Sequence, residues 1–154
     1  MVTIEPTADS KELAALNEAV QDLHCKLFPA KFKPFNIEKA EEAFNRLLSN
    51  SDFHALVAKV GNVSIGYLLC FIKSTAENEF QYAVNVLHID QISVNEKYRN
   101  AGVGQQLLER AIGLAQKNQI SEIQLDYWEG NTEASSFFTE NGFKAFNHRM
   151  MKKV

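Results

Sequence analysis

The run Tyr98-Arg99-Asn100-Ala101-Gly102-Val103-Gly104 holds the residue types that bind an anion through the main chain. It lies between an apolar stretch ending at Val94 and a helical pattern that begins near Val103. A strand that feeds a small-residue turn and then a helix leaves unpaired N–H groups converging on one point, backed by the positive end of the helix dipole. Gly102 and Gly104 let an anionic group come close to the backbone. Arg99, at the mouth of the turn, can add charge-assisted hydrogen bonds to phosphate oxygens. The chemistry is therefore that of a phosphate cradle, with a tight connection as the bland alternative. A dinucleotide fingerprint would need Gly or Ala where Leu107 stands, and a Walker loop would need Lys-Ser/Thr where Gln105-Gln106 follow. What remains is R-x-x-G-x-G.

A second pair of residues stands on the strand before that turn. Asp90 is the one carboxylate in the stretch Leu87 to Val94, where Leu87, Ile89, Ile92 and Val94 are aliphatic, and a carboxylate there is costly unless it reaches solvent, a partner or a cleft. His88, two residues earlier, shares its face and can relay or accept a proton. For both, a side chain that simply faces water at a strand end is the alternative.

The elements that position these groups follow from periodicity and stop signals. Asp9 with Glu12 announces a helix carrying Leu13, Leu16, Val20, Leu23 and Leu27, which ends before Pro29. Pro29 to Pro34, with Phe32 and Phe35 among lysines, is either a connection tucked onto the core or a loop that covers substrate. A second helix carries Ile37, Ala40, Phe44 and Leu47. Phe53 to Val60 and Val63 to Ile72 read as antiparallel strands joined by a two-residue turn at Gly61-Asn62. Lys73 to Gln81 is turn-like, and Ala83 to Val94 is a longer strand. Gly102 to Asn118 is a helix with Val103, Leu107, Ala111 and Leu114 or Ala115 on one stripe. Ile120 to Trp128 is a strand, Asn131 caps a short helix through Glu140, Asn141-Gly142 stops it, and Phe143 to Met151 returns as a last strand.

Bulk composition narrows the class. With 154 residues and 45% hydrophobic content, one domain over residues 1–154 is expected. A net charge of −3 gives no general attraction for nucleic acid. No apolar run is long enough to span a bilayer, and Met1 to Pro6 lacks the features of a secretory signal, so the expected location is the cytoplasm. Cys25 and Cys70 have no metal-ligand spacing and read as packing thiols, so no metal is expected.

A further motif joins the first. Asn131-Thr132-Glu133-Ala134, then Phe137-Phe138-Thr139-Glu140-Asn141-Gly142-Phe143, is similar to the segment N-x-x-A-x-x-F-Y-x-x-x-G-F of the GCN5-related N-acetyltransferase family, and R-x-x-G-x-G resembles the same family's acyl-CoA signature. The two motifs cover roughly the C-terminal half of the chain; the N-terminal half agrees in layout. The resemblance implies an α/β (α+β) fold: a mixed central sheet with N-terminal antiparallel strands, a splayed parallel strand pair and flanking helices. It also implies acetyl-CoA as cosubstrate, threaded between the strands ending at Val94 and near Trp128. The pantetheine would pair with the main chain around Ile92, Ser93 and Val94. The pyrophosphate would sit over Arg99, Asn100, Ala101, Gly102, Val103, Gly104 and Gln105. Asn131 would bind pantetheine or act only as a helix cap, while Ala134, Phe137 and Phe138 would wall the cofactor.

The implied reaction is transfer of an acetyl group to a primary amine by direct attack on the thioester. An amine of pKa about 10.4 is deprotonated in only roughly one molecule in 2,500 at pH 7, so a base is required. The family places a carboxylate where Asp90 stands, with His88 as relay or substitute. It also commonly has a tyrosine that protonates the leaving thiolate, and here that position is Phe138. Three accounts follow: water, Tyr127 or Ser135 substitutes; the thiolate leaves unprotonated; or the chain is an acyl-CoA-binding module with little catalysis. A protein or peptide amine is a further acceptor class. A homodimer is a family-level expectation.

Overall fold

Alternating apolar residues in the strands and apolar stripes on the helices sort side chains onto the two faces of one sheet. The computed structural model describes residues 1–154. Its elements run β1 (Val2–Thr7), α1 (Ser10–Leu27), α2 (Ile37–Leu48), β2 (Phe53–Val60), β3 (Val63–Thr75), β4 (Val84–Val94), a 3₁₀ turn (Glu96–Tyr98), α3 (Val103–Lys117), β5 (Ile123–Leu125) and α4 (Thr132–Glu140). The strands lie in sequence order, antiparallel from β1 to β4 and parallel between β4 and β5. The expected mixed sheet with a parallel pair at its end is thus present.

On one face Leu68, Cys70, Leu87 and Ile89 bury against Leu107, Leu108 and Ala111 of α3. On the other, Tyr67 and Leu69 meet Leu13, Ala14 and Phe44 of α1 and α2. Each large apolar side chain so buried contributes about 1.5–3 kcal/mol, which is why the stripes and not the loops determine the layering. Cys70 is a packing thiol, its pKa pushed up to about 12 by burial.

Local signals act as read, with instructive exceptions. Asp9 caps α1 by accepting from the N–H groups of Lys11 and Glu12 at 3.0 and 3.2 Å. Glu12 does not close a capping box; its carboxylate instead takes Thr7 Oγ1 at 3.0 Å, Lys59 Nζ at 3.2 Å and the Ser64 hydroxyl. Gly61 turns the β2–β3 hairpin with φ +58°, which glycine adopts without strain. The connection after α1 is packed: Phe28 and Phe32 meet Trp128 at ring distances of 5.0 and 4.9 Å, and Gln21 Nε2 donates to the Lys33 carbonyl at 2.7 Å.

Four boundaries differ from the sequence expectation. β1 was not anticipated, because Pro6 breaks the short alternation of Val2 and Ile4; it is tolerated because β1 is an edge strand. β3 runs on to Thr75, since polar Lys73 and Ser74 still pair with Val86 and Asn85. The strand expected over Ile120 to Trp128 contracts to Ile123–Leu125. The strand expected over Phe143 to Met151 is absent: that segment has no regular structure and leaves Phe146, Met150 and Met151 exposed. An alternating pattern does not make a strand where no neighbouring edge is paired.

Candidate active site

The wedge at the centre of the site follows from the register of β4. Its parallel pairing with β5 covers only Leu87, His88 and Ile89, opposite Ile123, Gln124 and Leu125. On the other side Cys70 faces Ile89 and Leu69 faces Gln91, so Asp90 is the extra residue of a β-bulge. Past the bulge, Ile92, Ser93 and Val94 keep Leu68, Tyr67 and Gly66 as partners but have no strand on the β5 side. Their free edge is available to another extended chain. Gly66 is required there, because a Cβ would lie 2.7 Å from the Ser93 carbonyl oxygen. A cleft of about 410 Å³ opens beside this edge, between Ala15, Ala19 and Asp22 of α1 and Ser93, Asn95 and Arg99.

The turn after β4 presents donors without acceptors. No backbone N–H group from Asn100 to Gln105 donates to a protein atom, and the first bond of α3 runs from Gln106 to the Gly102 carbonyl at 3.0 Å. Asn100 and Gly102 have φ of +60° and +77°, and the left-handed turns aim successive N–H groups inward as an anion-binding nest. No side chain caps α3, and a Cβ on Gly102 would meet nothing within 4 Å. Gly104 corrects the first reading. Its φ is not positive, and a Cβ there would fall 3.0 Å from the Phe137 ring, so the residue is small to seat α4 on α3. Arg99 is not free at the mouth: Nε donates to the Val94 carbonyl at 3.1 Å, and a terminal nitrogen bridges to Glu133 Oε2 of α4 at 2.9 Å.

Asp90, His88 and Gln91 turn toward the α1–α2 layer. Asp90 is open to solvent as a residue, yet protein crowds its carboxyl and raises its pKa. The Gln91 hydrogen bond and the His88 charge oppose that rise, and Asp126 reinforces it. His88 packs on the Phe71 ring at 5.0 Å and places Nε2 4.0 Å from Asp126 Oδ2, an ion pair when the imidazole is protonated. The structure therefore brings together both candidates for proton transfer and adds Asp126, which no spacing rule pointed to.

These features meet those of known proteins. The model of the acetyltransferase (GNAT) family matches residues 17–143. The chain belongs to the GNAT acetyltransferase family. Its fold is similar to that of the BH1408 protein from Bacillus halodurans in a tetramutant form, with a TM-score of 0.90 at 19% identity over 100% of this chain and 99% of the other. It is also similar to the aminoglycoside N-acetyltransferase AAC(6')-Iy in complex with a CoA bisubstrate analogue, with a TM-score of 0.72 at 16% identity over 100% and 98%. A possible acetyltransferase from Clostridium difficile 630 gives 0.75 at 15% identity over 100% and 97%.

Membership makes the chain an acyltransferase with acetyl-CoA as cosubstrate. The unpartnered N–H row and the free β4 edge fit a pyrophosphate with an extended, amide-bearing arm attached. On the GNAT second lip, Asn131 Oδ1 accepts from the Ala134 N–H at 3.1 Å, so it caps α4 and keeps its Nδ2 donors for a ligand. Ala134 and Phe137 are half-buried against the α3-side core. Phe138, at the GNAT tyrosine position, is a core residue, 6% exposed and packed on Phe137 and Phe143 at 5.3 and 5.5 Å. Tyr127 stacks over it at 6.2 Å and donates its hydroxyl to Ser135 Oγ at 3.1 Å. The two hydroxyls named from sequence as substitutes are thus one hydrogen-bonded pair beside Phe138.

Proposed function

We propose that the chain transfers the acetyl group of acetyl-CoA to a primary amine by direct attack of the amine on the thioester. The observation that carries this reading is the placement of Asp90 as the bulged residue where β4 and β5 part. A carboxylate at the apex of the wedge can take the ammonium proton, directly or through His88. The freed lone pair forms the new C–N bond, the C–S bond breaks, and the sulfur leaves with its electron pair. Ile92, Ser93 and Val94 hold the arm, the Arg99 to Gln105 turn holds the phosphates, and the Tyr127–Ser135 pair supplies the proton to the thiolate. A thiol of pKa about 8.5 also leaves tolerably without one.

The acceptor is sought with polyamines, aminoglycosides, amino acids and peptides, following release of the free CoA thiol. Turnover with at least one class is expected. No turnover with any of them, alongside tight acetyl-CoA binding, would favour the alternative of an acyl-CoA-binding module. The reading includes a homodimer, in which a second copy covers exposed Phe146, Met150 and Met151. Sedimentation equilibrium should give twice the monomer mass, and removal of residues 144–154 should return the monomer.

A further inference from the structure

Three polar side chains from three elements meet in the otherwise apolar α1-side core and end at Asp90. Tyr67 of β3 is fully buried and Asn17 of α1 is 8% exposed, among Leu13, Ala14, Phe44 and Leu69. Asn17 Nδ2 donates to the Tyr67 hydroxyl at 3.0 Å and to Gln91 Oε1 at 3.2 Å. The Tyr67 hydroxyl, having accepted from Asn17, gives its own proton to Gln91 Oε1. Gln91 Nε2 then donates to Asp90 Oδ2 at 3.3 Å.

With Asp90 ionised, the donor and acceptor inventory selects one arrangement. If the Gln91 amide alone were flipped, its NH₂ would face the NH₂ of Asn17; if both amides were flipped, Gln91 Oε1 would face Asp90 Oδ2, two acceptors with nothing to donate. The buried hydroxyl and amide, together with the charged carboxylate, therefore set the nitrogen of Gln91 outward, onto Asp90. The bulge supplies the remaining condition, since it sets Asp90 and Gln91 on the same side of β4, where a regular strand would put them on opposite faces. Such a network gains little stability over packed leucine and phenylalanine, because each buried polar group must first be desolvated. Its distinctive product is the fixed direction of the final N–H.

We infer that Asn17, Tyr67 and Gln91 are positioning residues that aim the Asp90 carboxylate for proton abstraction and favour its ionised form. This deepens the proposed function and rests on Asp90 as its base. Tyr67 itself gives up no proton: burial drives its hydroxyl far above the ordinary phenol range, so it stays a fixed donor. The groups that act on the carboxyl are His88 of its own strand, Asp126 beyond β5 and Tyr67 of β3.

The test is Gln91→Leu, with Tyr67→Phe as a gentler break that keeps the buried shape. The Asp90 carboxyl is titrated by NMR in the free protein, and kcat and KM are followed against pH. Losing the donor removes a bond to the charged form, so the Asp90 pKa should rise and the acid limb of the kcat profile should move to higher pH. Loss of kcat by about tenfold, with KM for acetyl-CoA unchanged, is expected for one hydrogen bond to a charged group. In an Asp90→Asn background, Gln91→Leu should cost nothing further, whereas a merely structural role would lower kcat in both backgrounds. An unchanged Asp90 titration overturns the inference. A raised pKa with unchanged kcat would uphold the relay and remove Asp90 from the role of base.

Discussion

Asp90→Asn should lower kcat by about 10²–10⁴-fold while leaving acetyl-CoA affinity intact. The amide matches the carboxylate in shape, accepts from Gln91 through its oxygen, and cannot take a proton. The acceptor amine is then left to its own ionisation, with roughly one molecule in 2,500 competent at pH 7. The turn proposed to hold the phosphates starts at Asn100 and uses main-chain N–H groups, and the arm is proposed to pair with the main chain of Ile92 to Val94, so a side-chain change at Asp90 removes none of those contacts. Stability should move the other way. Crowding raises the folded-state pKa of Asp90 above its unfolded value, so the stability linked to this carboxyl is present below the unfolded pKa and lost as pH rises through the folded one. At neutral pH the charge is a burden on the native state, and the neutral variant should melt at or above the wild-type temperature. A lower rate with an equal or higher Tm identifies lost chemistry, whereas a fall in both would return Asp90 to a structural role.

That trade of stability for chemistry also explains which parts of the molecule could be read from sequence. Features written in adjacent residues were legible: the Asp9 cap, the Gly61 turn, the apolar stripe of α3, and the strand–turn–helix context of the cradle. Each depends on spacings of one to four residues, which a linear pattern records. Features that arise from register were not. Asp90 was recognised as an expensive residue, but its being the bulged residue depends on which side chain of β3 it fails to meet. The relay behind it joins positions 50 and 74 residues apart, and nothing around Asn17 or Tyr67 announces it. Gly104 was read by the right residue type for the wrong neighbour, since the Phe137 ring that demands its smallness comes from another helix. Phe138 looked like a lost catalytic hydroxyl; in the fold it is core, with Tyr127 and Ser135 supplying hydroxyls beside it. Edges fared worst, because β1 and the segment after Gly142 are decided by what lies alongside them.

The cradle carries the second large effect. Acetyl-CoA at about 100 times its Kd should stabilise the protein by about 2.7 kcal/mol, a rise in Tm of roughly 5–11 °C at this size. NAD and ATP should produce no comparable shift, since Leu107 and Gln105-Gln106 deny the chain the features each would need. Gly102→Val should remove most of the acetyl-CoA shift. Its φ of +77° is one a β-branched residue adopts only with strain, so the substitution should reshape the turn that presents the N–H row. Gly104→Ala is the informative companion, because its methyl group points at Phe137. It should lower the Tm of the free protein by pressing α4 away from α3, and retain most of the ligand-induced rise. If the two glycine variants lost the acetyl-CoA shift equally, the anion would sit against the α3–α4 junction and not over the turn. If neither lost it, the row of unpartnered N–H groups would not be where the phosphates bind.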